Sequence, residues 1–243
     1  MSLSDVHSVA NGAYELSIIT KDSLADALAV IQQAFFVDEN VSIATRVAEN
    51  SQAIEELTEL CIRAANDGVS LVAIEKASGK AVAACFNKIQ VLPGENEENY
   101  FEQFEAKCKN PSSRGLMRYM IEMEKQYDVF TEKQIKCGLE IMFIATLREH
   151  RGHHLGSEMW QFSMDIANRI KHGKMAVPLE GSPRPECVMA LATSNATAKI
   201  GEKFGFQVLL EVPFDQFTFE GKPFSERIGP ETKSSKLIFK EVL

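Results

Sequence analysis

Apolar and polar positions alternate in YELSIIT (14–20), a β-branched run that predicts a strand. Leu24, Leu28, Ile31 and Phe35 then recur at helical spacing behind Asp22 and Ser23, either of which can cap the helix. A second helix follows Asn50 or Ser51, with Ile54, Leu57, Cys61 and Ala64 on one face, and stops near Asp67-Gly68. The stretch 70–92 splits around Ser78-Gly79 into a hairpin of two strands. Residues 95–136 are polar and helical, divided by Pro111, with Leu116, Met120, Met123 and Tyr127 marking the second half.

GLEIMFIATL (138–147) is a nearly continuous apolar run, the pattern of a strand covered on both faces. A helix carrying Leu155, Met159, Phe162, Ile166 and Ile170 follows, then a second buried strand, CVMALATS (187–194). A short helix over 196–204 ends at Gly205, and FQVLLEVPF (206–214) and KLIFKEV (236–242) are late strands. The order β-α-α-β-β-α-α-β-α-β-α-β-β predicts one α/β domain over 1–243, a mixed central sheet of about seven strands with helices on both faces. The strand at 139–147, its helix and the strand at 187–193 make a right-handed βαβ unit.

Composition narrows the function. The net charge of −8 argues against a nucleic-acid or acidic-membrane partner. No apolar run reaches the length of a membrane span, and MSLSDVHSVANG has neither the basic nor the apolar region of a secretory leader. The five cysteines are far apart, without a CxxC pair, and read as reduced core thiols of a cytoplasmic protein. The oligomeric state stays open, with a monomer favoured.

The chemistry concentrates in REHRGHHLGSEMWQF (148–162), between a buried strand and a helix. The first amides of a helix lack internal partners and its dipole favours negative charge, while glycine lets a ligand approach the backbone closely. An anion site is therefore expected. The spacing is neither GxGxxG nor GxxxxGK followed by Ser or Thr, so no nicotinamide or nucleoside triphosphate is indicated. His150, His153 and His154 raise a zinc alternative, but they precede the helix and a metal leaves the glycines unexplained. No metal is expected. A turn without a ligand is the third reading. Trp160 and the methionines fall at core spacing.

ATLREHRGHHLG resembles motif A of the GCN5-related N-acetyltransferase superfamily, a Q/R-x-x-G-x-G/A loop that grips the pyrophosphate of acetyl-CoA. Arg151, Leu155 and Gly156 match, and His154 stands at the middle glycine. FFVDEN (35–40) resembles the FFxDEP segment of insect-type arylalkylamine N-acetyltransferases, with Asn40-Val41 in place of Pro-Leu. ATSNATAKIGEKFGF (192–206) resembles their serine-rich segment, with Ala196 where an aromatic residue often lies, and EGKPF and KLIFKEVL resemble their C-terminal part.

The resemblance implies a GNAT fold and an acetyl-CoA-dependent N-acetyltransferase of a primary amine, with an arylalkylamine as acceptor. It implies a donor loop of Arg151, Gly152, His153, His154, Leu155, Gly156 and Ser157, and a strand edge at Ala145, Thr146 and Leu147 for the pantetheine arm. It assigns amine deprotonation to Glu39, whose plainer alternative is a solvated acid; Asp38 is its nearest rival. Ser194 is a candidate in the proton path, with a helix cap as the plainer role and Thr193 and Thr197 as competitors. Gly201 falls where many members carry a tyrosine acid. The rival functions are a polyamine, agmatine or long-chain acyl-CoA N-acyltransferase of the same fold, and a non-catalytic CoA-binding domain.

Overall fold

The computed structural model describes residues 6–94 and 99–243. Residues 1–5, part of the stretch read for a leader, and 95–98, which open the polar helical segment, lie outside them.

The chain begins with β1 (His7–Val9) and β2 (Tyr14–Ile18). α1 (Leu24–Val30) passes through a π turn at Ile31–Phe35 into α2 (Phe36–Asp38), and α3 (Asn40–Ala44) and α4 (Ser51–Ala65) follow. β3 (Leu71–Glu75) and β4 (Lys80–Val91) form the predicted hairpin. Then come α5 (Tyr100–Glu105), α6 (Pro111–Gln126), α7 (Val129–Lys133) and β5 (Cys137–Thr146). α8 (Leu155–Lys171), β6 (Cys187–Ala192), α9 (Asn195–Lys203) and β7 (Gln207–Pro213) lead to a small hairpin, β8 (Thr218–Phe219) and β9 (Lys222–Pro223), and to β10 (Ser234–Glu241).

The main sheet has eight strands in the order β1-β2-β3-β4-β5-β6-β10-β7, one more than expected. The extra strand is β1, whose three residues are too short to show a period of two. β5 and β6 pair in parallel, while the other neighbours in this sheet are antiparallel. Helices cover both faces, and β4 is accordingly buried without a break from Ala81 to Gln90. One buried cluster joins α1, α4, α5 and α6 to the sheet through Ala27, Leu57, Phe101 and Leu116. The other joins α8 to the opposite face through Leu155, Met159, Trp160 and Ile166. Each large side chain so buried contributes roughly 1.5–3 kcal/mol.

All five cysteines are buried and free. Among the described residues, no helix is long and apolar enough to cross a membrane.

Candidate active site

β5 and β6 are paired over three positions, ending at Glu140 opposite Met189. The register of β4 against β5 slips between Phe86 and Asn87, opposite Phe143 and Ile141. A bulge bends the strand that carries it, so the far half of β5 turns away from β6 just past Glu140. The strands separate around a cavity of about 460 Å³. Phe35, Glu39 and Tyr119 line it from one face of the sheet and Gly156, Trp160 and Ile200 from the other, so it forms a slot through the sheet.

Leu147 donates its N–H to the Val82 carbonyl at 2.8 Å, which commits that amide to the sheet. Strand alternation turns the main-chain groups of Ala145 the same way and those of Ile144 and Thr146 into the slot. The Thr146 carbonyl accepts from Arg151 Nε at 3.2 Å. Of the three edge residues expected to hold the pantetheine arm, Thr146 therefore presents its N–H to the slot.

The loop after β5 runs through Gly152 at φ +85° and His154 at φ +62° into α8. His154 thus adopts the left-handed conformation that explains glycine at that place in the motif, at a cost of order 1–2 kcal/mol. Among the described residues, nothing accepts from the amides of Gly152 to Ser157. α3, α5, α6, α7 and α9 are each capped by a side-chain oxygen, whereas α8, like α1, α2 and α4, has no side-chain cap. The mouth of α8 is thus a row of unpaired donors at the positive end of a seventeen-residue helix.

Two arginines flank this row and converge on one carboxylate. Arg148 Nη2 donates to Asp38 Oδ1 at 3.0 Å and Arg151 Nη2 to Asp38 Oδ2 at 2.6 Å. The rings of His150 and His153 pack on Tyr14, and His154 is exposed. Among the described residues, no group of three or more His, Cys, Asp and Glu could hold a metal ion.

The opposite wall is built where α2 gives way to α3. Phe35 packs against Phe143 with ring centroids 4.5 Å apart. Glu39 is extended (φ −79°, ψ 138°) and caps α3, its Oε1 accepting from Val41 N–H at 2.8 Å and its Oε2 from Ser42 N–H at 2.7 Å. Asn40 Nδ2 donates to the Thr193 carbonyl at 2.6 Å. Ser194 caps α9, accepting from Thr197 N–H at 3.1 Å, and its Oγ lies 2.9 Å from Thr197 Oγ1. Glu39 and Ser194 line the same cavity, and each also holds a helix terminus.

Gly201 does not face the slot. A Cβ there would lie 2.5 Å from Ile238 Cδ1, so this side of α9 is pressed onto β10 and has no room for a tyrosine. The positions of α9 that line the cavity are Ala196, Thr197 and Ile200.

Among the lining residues not read as part of the site are Glu140 and Trp160. Glu140 is 4% exposed at the fork of β5 and β6, its Oε2 accepting from Gln90 Nε2 at 2.9 Å. Burial pushes its carboxyl up to about 7. The available signal was a lone acid inside an apolar strand. Trp160 is fully buried, as its spacing predicts, but among the described residues its Nε1–H has no partner, and the residue lines the slot. A buried donor left unpaired costs about 1–3 kcal/mol, so a ligand acceptor there would be favourable.

No family model and no curated relative matches the chain. Solved structures do. Arylalkylamine N-acetyltransferase 2 from Aedes aegypti superposes with a TM-score of 0.77 at 17% identity, covering 95% of this chain and 99% of its own. The Drosophila melanogaster polyamine N-acetyltransferase that forms N-acetylagmatine gives 0.74 at 14% identity, covering 94% and 99%. The C-terminal condensation domain of Ebony, solved with β-alanyl-dopamine, gives 0.63 at 11% identity, again covering 94% and 99%. The chain therefore has the fold of the GCN5-related N-acetyltransferases, in the form seen in the insect arylalkylamine enzymes.

Proposed function

We propose that this chain is an acetyl-CoA-dependent N-acetyltransferase acting on a primary amine. The observation that carries the reading is the row of unpaired amides from Gly152 to Ser157, set beside a slot that passes through the sheet. Neither feature serves the fold. A diphosphate fits the amides, with Arg151 and Arg148 beside them, and an extended arm fits the edge of Ile144 and Thr146. The Trp160 Nε1–H supplies a further donor inside the slot.

Bound acetyl-CoA supplies an acetyl thioester. The rest falls to the chain. An alkylammonium with a pKa near about 10 must lose a proton before its lone pair can attack. Glu39 lines the cavity and retains lone pairs beyond those used for the cap, so it is the proposed acceptor of that proton. The Thr146 N–H is placed to donate to the carbonyl oxygen as it gains charge. The N–C bond forms and the C–S bond breaks, the acylated nitrogen gives up its surplus proton to solvent, and the thiolate, with a pKa of about 8.5, leaves and takes a proton from solvent.

No cysteine among the described residues lines the cavity, and burial raises the proton affinity of all five thiols. Attack by the amine is therefore direct. Phe35, Phe143, Leu116 and Met120 give the acceptor side an apolar wall, which supports an arylalkylamine.

The test is thermal denaturation with acetyl-CoA, followed by thiol release with a panel of amines. A raised Tm and amine-dependent thiol release are expected. No protection and no release with any amine overturn the assignment.

A further inference from the structure

The histidines of the loop before α8 are left without a task once its amides and arginines hold a diphosphate. His154 is exposed. His150 and His153 lie against one residue from the far end of the sequence, Tyr14 at the start of β2.

Tyr14 is 4% exposed and belongs to the same buried cluster as Leu155, the first residue of α8. Its ring meets that of His150 edge-on, with centroids 5.9 Å apart, and that of His153 at a tilt, with centroids 5.6 Å apart. Both are distances at which aromatic rings attract. The Tyr14 hydroxyl lies 3.2 Å from His150 Nδ1. The same nitrogen is 3.8 Å from Glu75 Oε1. Glu75 stands directly opposite Tyr14 on β3, and its other oxygen accepts from Ser78 Oγ at 2.6 Å. His150 is thus set between two strands, with one neighbour fixed by the core and the other by the β3–β4 turn.

The ends of the loop are anchored, since Leu147 is bonded to β4 and Leu155 is buried. Between them, Arg148, Glu149 and the residues from Arg151 to His154 are exposed, and the space around Gly152 is open. Gly152 and His154 both have positive φ, a conformation that His154 adopts only at a cost. The clasp on Tyr14 uses imidazole rings alone and takes up none of the amides and guanidiniums offered to an anion. Such a site depends on donors aligned in advance, because any ordering on binding subtracts from affinity.

We infer that Tyr14 is a positioning residue for the acyl donor: through His150 and His153 it holds the loop in the shape that aligns the amides of Gly152 to Ser157 on a diphosphate. The inference rests on the proposed use of acetyl-CoA, and it assigns these two histidines to the shape of the loop.

The experiment uses two donors that differ at the diphosphate. S-Acetylpantetheine has the thioester and arm of acetyl-CoA and ends before it. Kd for CoA is measured by calorimetry, and kcat/KM with each donor by thiol release, in the wild type, Tyr14→Phe, His150→Ala and the double variant. Tyr14→Phe keeps the ring and removes the hydroxyl. It is expected to raise Kd for CoA and to lower kcat/KM with acetyl-CoA about fivefold, the worth of one hydrogen bond. With S-acetylpantetheine, kcat/KM should match the wild type. In the His150→Ala background the same substitution should change Kd by less than about twofold, because its route to the loop is gone.

An unchanged Kd in Tyr14→Phe overturns the inference. So do equal losses with both donors, which mark a general effect on the fold, and losses that simply add in the double variant. Should Tyr14→Phe not fold, His150→Ala must show the same split between donors, and its absence is equally decisive. Weaker CoA binding in Tyr14→Phe with no thiol release from any amine keeps the clasp and removes acetyl transfer. A wild type that acetylates an amine, with CoA binding indifferent to Tyr14, does the reverse. A wild type that does not bind CoA removes both.

Discussion

Asn40 Nδ2 donates to the Thr193 carbonyl at 2.6 Å, joining two segments 153 residues apart in sequence. The bond ties the turn that carries Asp38 and Glu39 to the end of β6, and so fixes the width of the slot on its acceptor side. Asn40→Ala removes the donor and should cost about 1 kcal/mol, a Tm loss of about 2–4 °C for a chain of this size. Asn40→Asp sets a carboxylate against the carbonyl and should cost more. Both should lower kcat/KM through a wider site; a Tm loss without any kinetic change would make the bond structural only.

Glu39 serves two roles that a single variant separates. Glutamine offers one acceptor oxygen, so Glu39→Gln leaves either Val41 N–H or Ser42 N–H uncapped and should cost about 0.5–2 kcal/mol. As proton acceptor, Glu39 should contribute a factor of about 10²–10⁴ near neutral pH, and the deficit should narrow towards high pH, where the free amine is already deprotonated. The check is the ratio of wild-type to variant kcat/KM across pH. A ratio that stays flat leaves Glu39 with the cap alone.

The long elements and the glycine-bearing turn before α8 were legible because their signals are local. Helical spacing in 155–170 and the apolar run at 138–147 needed no tertiary information. The short elements were not: β1 and the β8–β9 hairpin hold three and two residues per strand, below any period. Gly201 was read from its place in a motif, while its facing is set by the pressure of Ile238 on α9. The surroundings of Glu140 needed long-range pairing, since Gln90 reaches it from the neighbouring strand, 50 residues away in sequence. Glu140 itself was visible in GLEIMFIATL as the one charge in the run, but a strand reading explains the apolar residues and says nothing of the exception.

His154 holds a left-handed backbone at the lip of the donor row. His154→Gly removes the Cβ conflict and gives back some unfolded-chain entropy, for a net gain of about 0.5–1 kcal/mol. It also clears a side chain from beside the unpaired amides, so acetyl-CoA should bind more tightly. Titration by thermal shift checks both at once. A variant of lower Tm and weaker binding would mean that the imidazole itself serves the anion.

Glu140 gives the fold a predictable response to pH. Its carboxyl ordinarily titrates at 4.5 and in the folded chain at about 7, so folding favours the protonated form. That contribution is complete below the ordinary value and is lost as pH rises through about 7, a fall of at most roughly 3 kcal/mol. Glu124, which is raised for the same reason, acts in the same direction, while the Lys88 charge restrains the shift of Glu140. Glutamine has nearly the same shape and no charge. Glu140→Gln should therefore match or fall slightly below the wild type near about pH 5 and exceed it near about pH 8. Chemical denaturation at a series of pH values measures the difference. If the variant and the wild type run parallel across that range, the buried proton does not reside on Glu140.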